Sequence, residues 1–237
     1  MLATFQHYGM THIGVLAVLV VVTTLMIRRC RKDPESPRAK AAIALLAFLC
    51  FAAYPINQAI LSAYGGSFPL DSLMPFHLCD IAAFICGFAL ITRRPILCEL
   101  SYFWGLAGTM QGLLTPNLAH DFPSPVFFIF FLHHGVIVIT ALLLPLGLGW
   151  RPREGAALRA FVWVLIYAGV AFIANYLLET NFGFLMHKPD RGSLLDIMGP
   201  WPWYVLCLIS LAGLFFYLLS LPFKRSLQSA VSKPKEN

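Results

Sequence analysis

Three residue types that together can make a nucleophilic site occur in one short run, His77-Leu78-Cys79-Asp80. A thiol becomes an effective nucleophile when a base takes its proton and a third group orients that base. Cys79 can supply the thiol, His77, His133 or His134 the base, and Asp80 the orienting carboxylate. On a helix His77 and Asp80 are i,i+3 neighbours, so one can position the other. The blander reading makes Cys79 a small packing residue and Asp80 a solvated carboxylate at the positive end of a helix dipole. His133-His134 lies inside a wholly apolar run from Phe127 to Leu144. Adjacent residues diverge by about 100° on a helix, so one imidazole is expected to face a cavity and the other a neighbouring helix.

A second set of polar residues can bind rather than react. Gln111, Asn117 and Asn175 can donate hydrogen bonds to a developing oxyanion. Asn175 and Glu179 are i,i+4 neighbours, and Asn181 follows them. Lys188 and Arg191 can meet a lipid phosphate, and Trp201 heads a run of interfacial aromatics. His12, His77, His133, His134, Asp80 and Glu179 include no ligand pair with the i,i+4 spacing of a helical zinc motif. The six cysteines, Cys30, Cys50, Cys79, Cys86, Cys98 and Cys207, form no CxxC pair and no disulfide framework. No metal or other cofactor is expected.

The elements that position these groups must be helices in lipid. The 237-residue chain is 59% hydrophobic and 12% charged, where a soluble domain carries about 25% charged residues. Too few charges remain to coat a water-facing surface. Seven apolar runs are long enough to approach or span a ~30 Å hydrocarbon core: Thr11–Ile27, Ala41–Ala63, Pro75–Ile91, Ile96–Leu114, Pro125–Gly149, Leu158–Thr180 and Trp201–Phe223. The expected fold is an all-α membrane protein, a bundle of about seven transmembrane helices. Residues 1–223 form one transmembrane domain, and residues 224–237 read as a polar, disordered cytoplasmic tail. There is no internal repeat and no soluble domain.

Charge fixes an expected orientation. Arg28, Arg29, Arg31, Lys32, Arg38, Lys40, Arg93, Arg94, Arg151, Arg153, Arg159 and the tail residues Lys224, Arg225, Lys233 and Lys235 fall on one side of a seven-span layout. Only Lys188 and Arg191 fall on the other. The basic side is assigned to the cytoplasm, which puts the N-terminus outside and the C-terminus inside. Although the net charge is +6, its confinement to short loops argues against nucleic acid. Most intramembrane polar residues then lie in the outer half of the bundle. Polar groups facing lipid are strongly disfavoured, so one polar cavity opening outward is expected. Ser101, Trp104, Gly108, Gln111 and Thr115 form a stripe at helical spacing, and Gly105, Gly108 and Gly112 permit close helix approach.

Several segments run in order from the third span onward: Pro75-Phe76-His77-Leu78-Cys79-Asp80, Phe103-Trp104-Gly105 with Gln111, Leu114-Thr115-Pro116-Asn117, His133-His134-Gly135, Asn175-Tyr176, Thr180-Asn181-Phe182, Lys188-Pro189, Ser193-Leu194-Leu195 and Gly199-Pro200-Trp201-Pro202-Trp203-Tyr204. Together they resemble the YwaF-like integral membrane proteins of bacteria. These are distantly similar to a eukaryotic multipass enzyme that acts as a cysteine-dependent acyltransferase on ether phospholipids. The resemblance implies a nucleophilic role for Cys79 and a base role for His133 or His134. Bacterial relatives often carry Tyr where this chain has Phe182, which removes one loop hydroxyl.

Three functional readings follow. In the first the protein is a lipid acyltransferase or acyl hydrolase, with membrane lipids as partners and a phospholipid as substrate. The second is a transporter or small-ligand-binding protein, against which stand the absence of inverted repeats and the apolar cytoplasmic halves of the spans. The third is an accessory subunit whose polar contacts only join helices. Neither the substrate nor the oligomeric state is written in the sequence.

Overall fold

A computed structural model describes residues 3–63, 70–189 and 193–231; the candidate Arg191 lies outside the described residues. Seven main helices are present: α1 Met10–Lys32, α2 Pro37–Ala63, α3 Leu78–Thr92, a composite α4, α5 Pro125–Gly147, α6 Ala156–Leu178 and α7 Trp203–Val231. Helix α4 consists of an α-helical stretch Pro95–Trp104, a π-helical turn Gly105–Thr109 and a final stretch Met110–Leu114. Among the described residues, five helices are long and apolar enough to cross a membrane, with α7 qualifying over Trp203–Phe223. Beyond Phe223, α7 continues as helix to Val231, into the segment read from sequence as a tail.

The remaining two spans, α3 and α4, are the unusual ones. At 15 residues, α3 is about 22 Å long at 1.5 Å per residue, shorter than a ~30 Å hydrocarbon core. The chain before it enters the bundle as non-helical backbone. Such backbone is tolerated at depth only where protein satisfies it. The Tyr167 hydroxyl of α6 donates to the Phe76 carbonyl at 3.1 Å, and the Phe76 N–H closes on Met74 O at 2.8 Å. In α4 the wide turn resets the helical register, so the stripe expected from uniform 3.6-residue spacing is broken at Gly105. Ser101 donates to Leu97 O within its own helix, while Trp104 Nε1 donates to Ala160 O of α6 at 3.2 Å.

Helix α5 is the hub, with contacts to α1, α2, α3 and α4. Val136, Ile137, Ile139 and Leu143 of α5 pack with Leu46 and Cys50 of α2 and Ala82, Ala83 and Cys86 of α3. Glycines let α4 come close: a Cβ on Gly105 would meet Ala141 Cβ at 2.9 Å, and one on Gly112 would meet His134 Cδ2 at 2.6 Å. Helices α1, α6 and α7 instead carry rows of exposed apolar side chains, such as Val18, Val21 and Leu25, Ile166, Val170 and Ile173, and Leu206 and Leu214. Faces of that kind are stable against lipid, not water.

The chain crosses from one end of the bundle to the other at each helix. One end carries residues 3–9 and the loops before α3, α5 and α7. There Phe5 N–H donates to Ala119 O, Asp121 N–H to Ala3 O, and buried His12 Nε2 pairs with Leu113 O at 2.8 Å. The other end carries the basic loops. Glu99, with no exposed surface, accepts four hydrogen bonds there: from Arg153 Nε and Nη2 at 2.8 and 3.2 Å, and from Arg159 Nε and Nη2 at 3.0 and 2.8 Å. Hydrogen bonding to Glu99 holds the Arg153 guanidinium above its ordinary pKa.

Candidate active site

The first turn of α3 meets α5 well below the end of the bundle. His133 is eight residues beyond Pro125, so it lies about 12 Å along α5. Its Nε2 stands 3.7 Å from Asp80 Oδ1, and its ring lies against the backbone of Cys79. The short α3 explains this meeting, because a full-length helix would have carried Asp80 up to the loops. Asp80 is fixed by its own helix end, where Oδ2 accepts the His77 backbone N–H at 3.2 Å. A carboxylate at the third position of a helix is also favoured by the exposed N–H groups there.

Two polar atoms at this place have no hydrogen-bond partner among the described residues. One is His133 Nε2, on a residue only 7% exposed, and the other is Thr109 Oγ1, on a residue with no exposed surface. Thr109 ends the π-helical turn of α4, and its hydroxyl lies beside the Cys79 thiol. Leaving a buried donor or acceptor unmade costs on the order of 1–3 kcal/mol. Such groups are few in folded proteins, and a water, a ligand or a reacting group can supply the missing partner. Single π-helical turns inside α-helices recur at functional sites. Tyr167 completes the surroundings, its hydroxyl held on Phe76 O three residues before Cys79.

The two adjacent histidines divide. His134 donates from Nδ1 to Phe130 O at 2.9 Å, stacks on the Phe130 ring at 4.1 Å and turns its other nitrogen toward Gly112 of α4. It therefore faces away from Asp80, and His133 is the imidazole beside Asp80 and the Cys79 backbone. His77 lies just above, where its Nδ1 accepts the Gly183 N–H at 3.4 Å and its ring meets Phe182 and Phe184 edge-on or tilted.

Residues 180–188 form a plug over this place, and several polar candidates belong to it. Asn175 Oδ1 accepts from Thr180 Oγ1 and the Phe182 N–H, while its Nδ2 donates to Phe182 O. Asn181 Oδ1 accepts the N–H groups of Met186 and His187, and its Nδ2 donates to His187 O. Through these bonds both asparagines hold the plug. Phe182 is fully buried against Phe76, and Tyr204 and Trp201 of the α7 approach donate to Phe184 O and Leu185 O. Lys188 Nζ lies 5.7 Å from the Tyr204 ring centre and 3.4 Å from Asp196 O. Glu179 is an exposed left-handed cap at the end of α6, Asn117 is exposed after α4, and Gln111 is half-buried, its carbonyl accepting from Thr115.

The structure thus brings Cys79, Asp80 and His133 together, with His77 adjacent, and adds Thr109 and Tyr167, which sequence reasoning did not select. The glycines around Thr109 were the available signal, but the register shift that turns its hydroxyl inward was not visible. Among the described residues no three His, Cys, Asp or Glu side chains cluster as a metal site.

Comparison with known proteins places this arrangement in a family. An uncharacterised protein of Treponema pallidum (strain Nichols) is 30% identical over 153 residues, which is 65% of this chain and 63% of that protein's length. The chain thus matches somewhat under two thirds of that relative. No solved structure matches. The sequence profile of the TMEM164 family matches residues 2–220, from ahead of α1 to within α7. A match over nearly the whole chain, with all seven helices represented in it, establishes that the protein is a member of the TMEM164 family.

Proposed function

We propose that this protein transfers acyl groups of membrane lipids, to a lyso-lipid or to water, through a thioester on Cys79. The observation that carries the reading is the unpartnered His133 Nε2, buried beside Asp80 and the Cys79 turn. In the first half-reaction His133 takes the thiol proton as sulfur attacks the ester carbonyl. The carbon–oxygen ester bond then breaks, and the leaving lyso-lipid oxygen receives that proton from His133. In the second, an acceptor hydroxyl or water gives its proton to His133 and attacks the thioester, and the Cys79 thiol is restored. Asp80 steadies the imidazolium formed in each half. Thr109 is the donor best placed to meet the developing oxyanion.

A lipid substrate is supported by an apolar groove of about 230 Å3 between α6 and α7, lined by Ala168, Phe172, Leu185, Trp201 and Val205. Leu185 also packs with Phe76, Tyr167 and Phe182, which border the site. The resemblance to a cysteine-dependent phospholipid acyltransferase points the same way. The charge bias supports an N-terminus and site on the outer side of a bacterial cell membrane. Purified protein given a labelled phospholipid and an unlabelled lyso-lipid should move label to the acceptor, or release it as fatty acid if water is the acceptor. Cys79→Ala should abolish both. Equal turnover in that variant overturns the covalent route, and solute flux in proteoliposomes that survives Cys79→Ala but not His133→Gln would favour transport.

A further inference from the structure

The basic end of the bundle holds a groove of about 570 Å3 that the proposed reaction does not use. Its walls are apolar, with Ile43 and Ala47 from α2, Leu90 from α3 and Leu148 after α5; Lys40, Glu35, Arg93 and Trp150 also line it. Lys40 and Glu35 cancel, with Nζ and Oε2 2.8 Å apart. Arg93 has no acidic partner among the described residues.

The residue that carries this guanidinium has an unusual backbone. Arg93 caps α3 with φ of +53°, a left-handed conformation that glycine usually fills and that costs other L-residues about 1–2 kcal/mol. Arg93 is exposed at the groove. Arg29 lies nearby, since both guanidiniums act electrostatically on the Cys30 thiol. Its Nη2 donates to Ser36 Oγ at 3.1 Å, while its buried Nε has no partner among the described residues. The groove opens where α1 and α3 end and α2 begins, at the level where Trp150 marks the lipid–water boundary.

An apolar-walled groove with an uncompensated guanidinium at that boundary suits a molecule with a phosphate at one end and hydrocarbon at the other. Guanidinium recognises phosphate oxygens through paired charged hydrogen bonds, and basic pockets between membrane helices bind acidic headgroups. We propose that this groove holds an anionic glycerophospholipid, with its phosphate on Arg93 and its chains along α2 and α3. The site lies at the opposite end of the bundle from Cys79 and does not depend on acyl transfer.

The full-length protein, reconstituted with phosphatidylcholine and a minor fraction of phosphatidylglycerol, can be assayed by native mass spectrometry for retained lipid. Wild type should retain phosphatidylglycerol in preference, and Arg93→Gln should cut that preference about tenfold, or 1.4 kcal/mol. Arg94→Gln, next along the chain but not in the groove lining, should leave it unchanged. Ala44→Trp, at an exposed position of the groove wall, should block retention without touching a charge, and it decides the matter alone if Arg93→Gln does not fold. Glycerol 3-phosphate should not displace the lipid. Undiminished preference in the groove variants, or displacement by the soluble phosphate ester, overturns the proposal.

Discussion

Glu99 and Asp80 are carboxylates held inside the same bundle at opposite ends, and their surroundings differ in kind. Glu99 is saturated by four hydrogen bonds from two guanidiniums whose side chains are themselves about half exposed or less, 52% for Arg153 and 38% for Arg159. Asp80 accepts one backbone N–H and faces an imidazole nitrogen at 3.7 Å that has no hydrogen-bond partner. A buried charge with every lone pair met stabilises a fold and resists change. A buried polar group left short of partners is costly in the resting state and gains when a substrate or transition state supplies them. The basic end is therefore read as a structural clamp joining α4 to the loop before α6 and to α6 itself, and the other end as the reactive one.

That contrast can be broken by unequal substitutions. The largest stability loss should come from Arg153→Ala with Arg159→Ala, which strands the buried Glu99 carboxylate. About 3–5 kcal/mol is expected, read as a lowered unfolding midpoint in detergent. His133→Gln should lower acyl transfer about 10²–10³-fold, equivalent to roughly 3–4 kcal/mol of barrier, with little change in that midpoint. Glu99→Gln should cost less than the double arginine change, about 1–2 kcal/mol, because the freed guanidiniums reach water. The smallest effect sharpens the comparison most. Thr109→Val removes an unpartnered buried hydroxyl, so stability should be unchanged or rise by up to about 1 kcal/mol, while transfer falls about tenfold. A loss of stability in Thr109→Val would show that its hydroxyl is structural.

Much of the fold was legible because hydrocarbon allows few solutions. The seven helix cores fall where the apolar runs were read, and the His133-His134 pair was recognised as too polar for its run. Which histidine lies beside Asp80 was not legible, since that depends on the Gly112 contact and the short α3. Glu99 left a clear signal that went unused: it is a carboxylate inside a span, which demands a partner, and Arg153 and Arg159 stand at the same end. Asn175 and Asn181 show a second difficulty. A polar side chain near the end of a span can serve a cavity or its own loop, and composition does not distinguish these. Here both fasten the Phe182 plug. The wide turn at Gly105–Thr109 broke the expected α4 stripe because helical spacing presumes an unbroken 3.6-residue period.

The central claim is that Cys79 carries an acyl group with His133 as its base. It is tested most directly by acid-quenching the protein during turnover of a labelled phospholipid and locating the label by peptide mass spectrometry. The account predicts a hydroxylamine-sensitive acyl group on Cys79, strongly diminished in His133→Gln and undiminished in His134→Gln. Turnover with no label on Cys79, or label that builds up equally without the His133 imidazole, would contradict it.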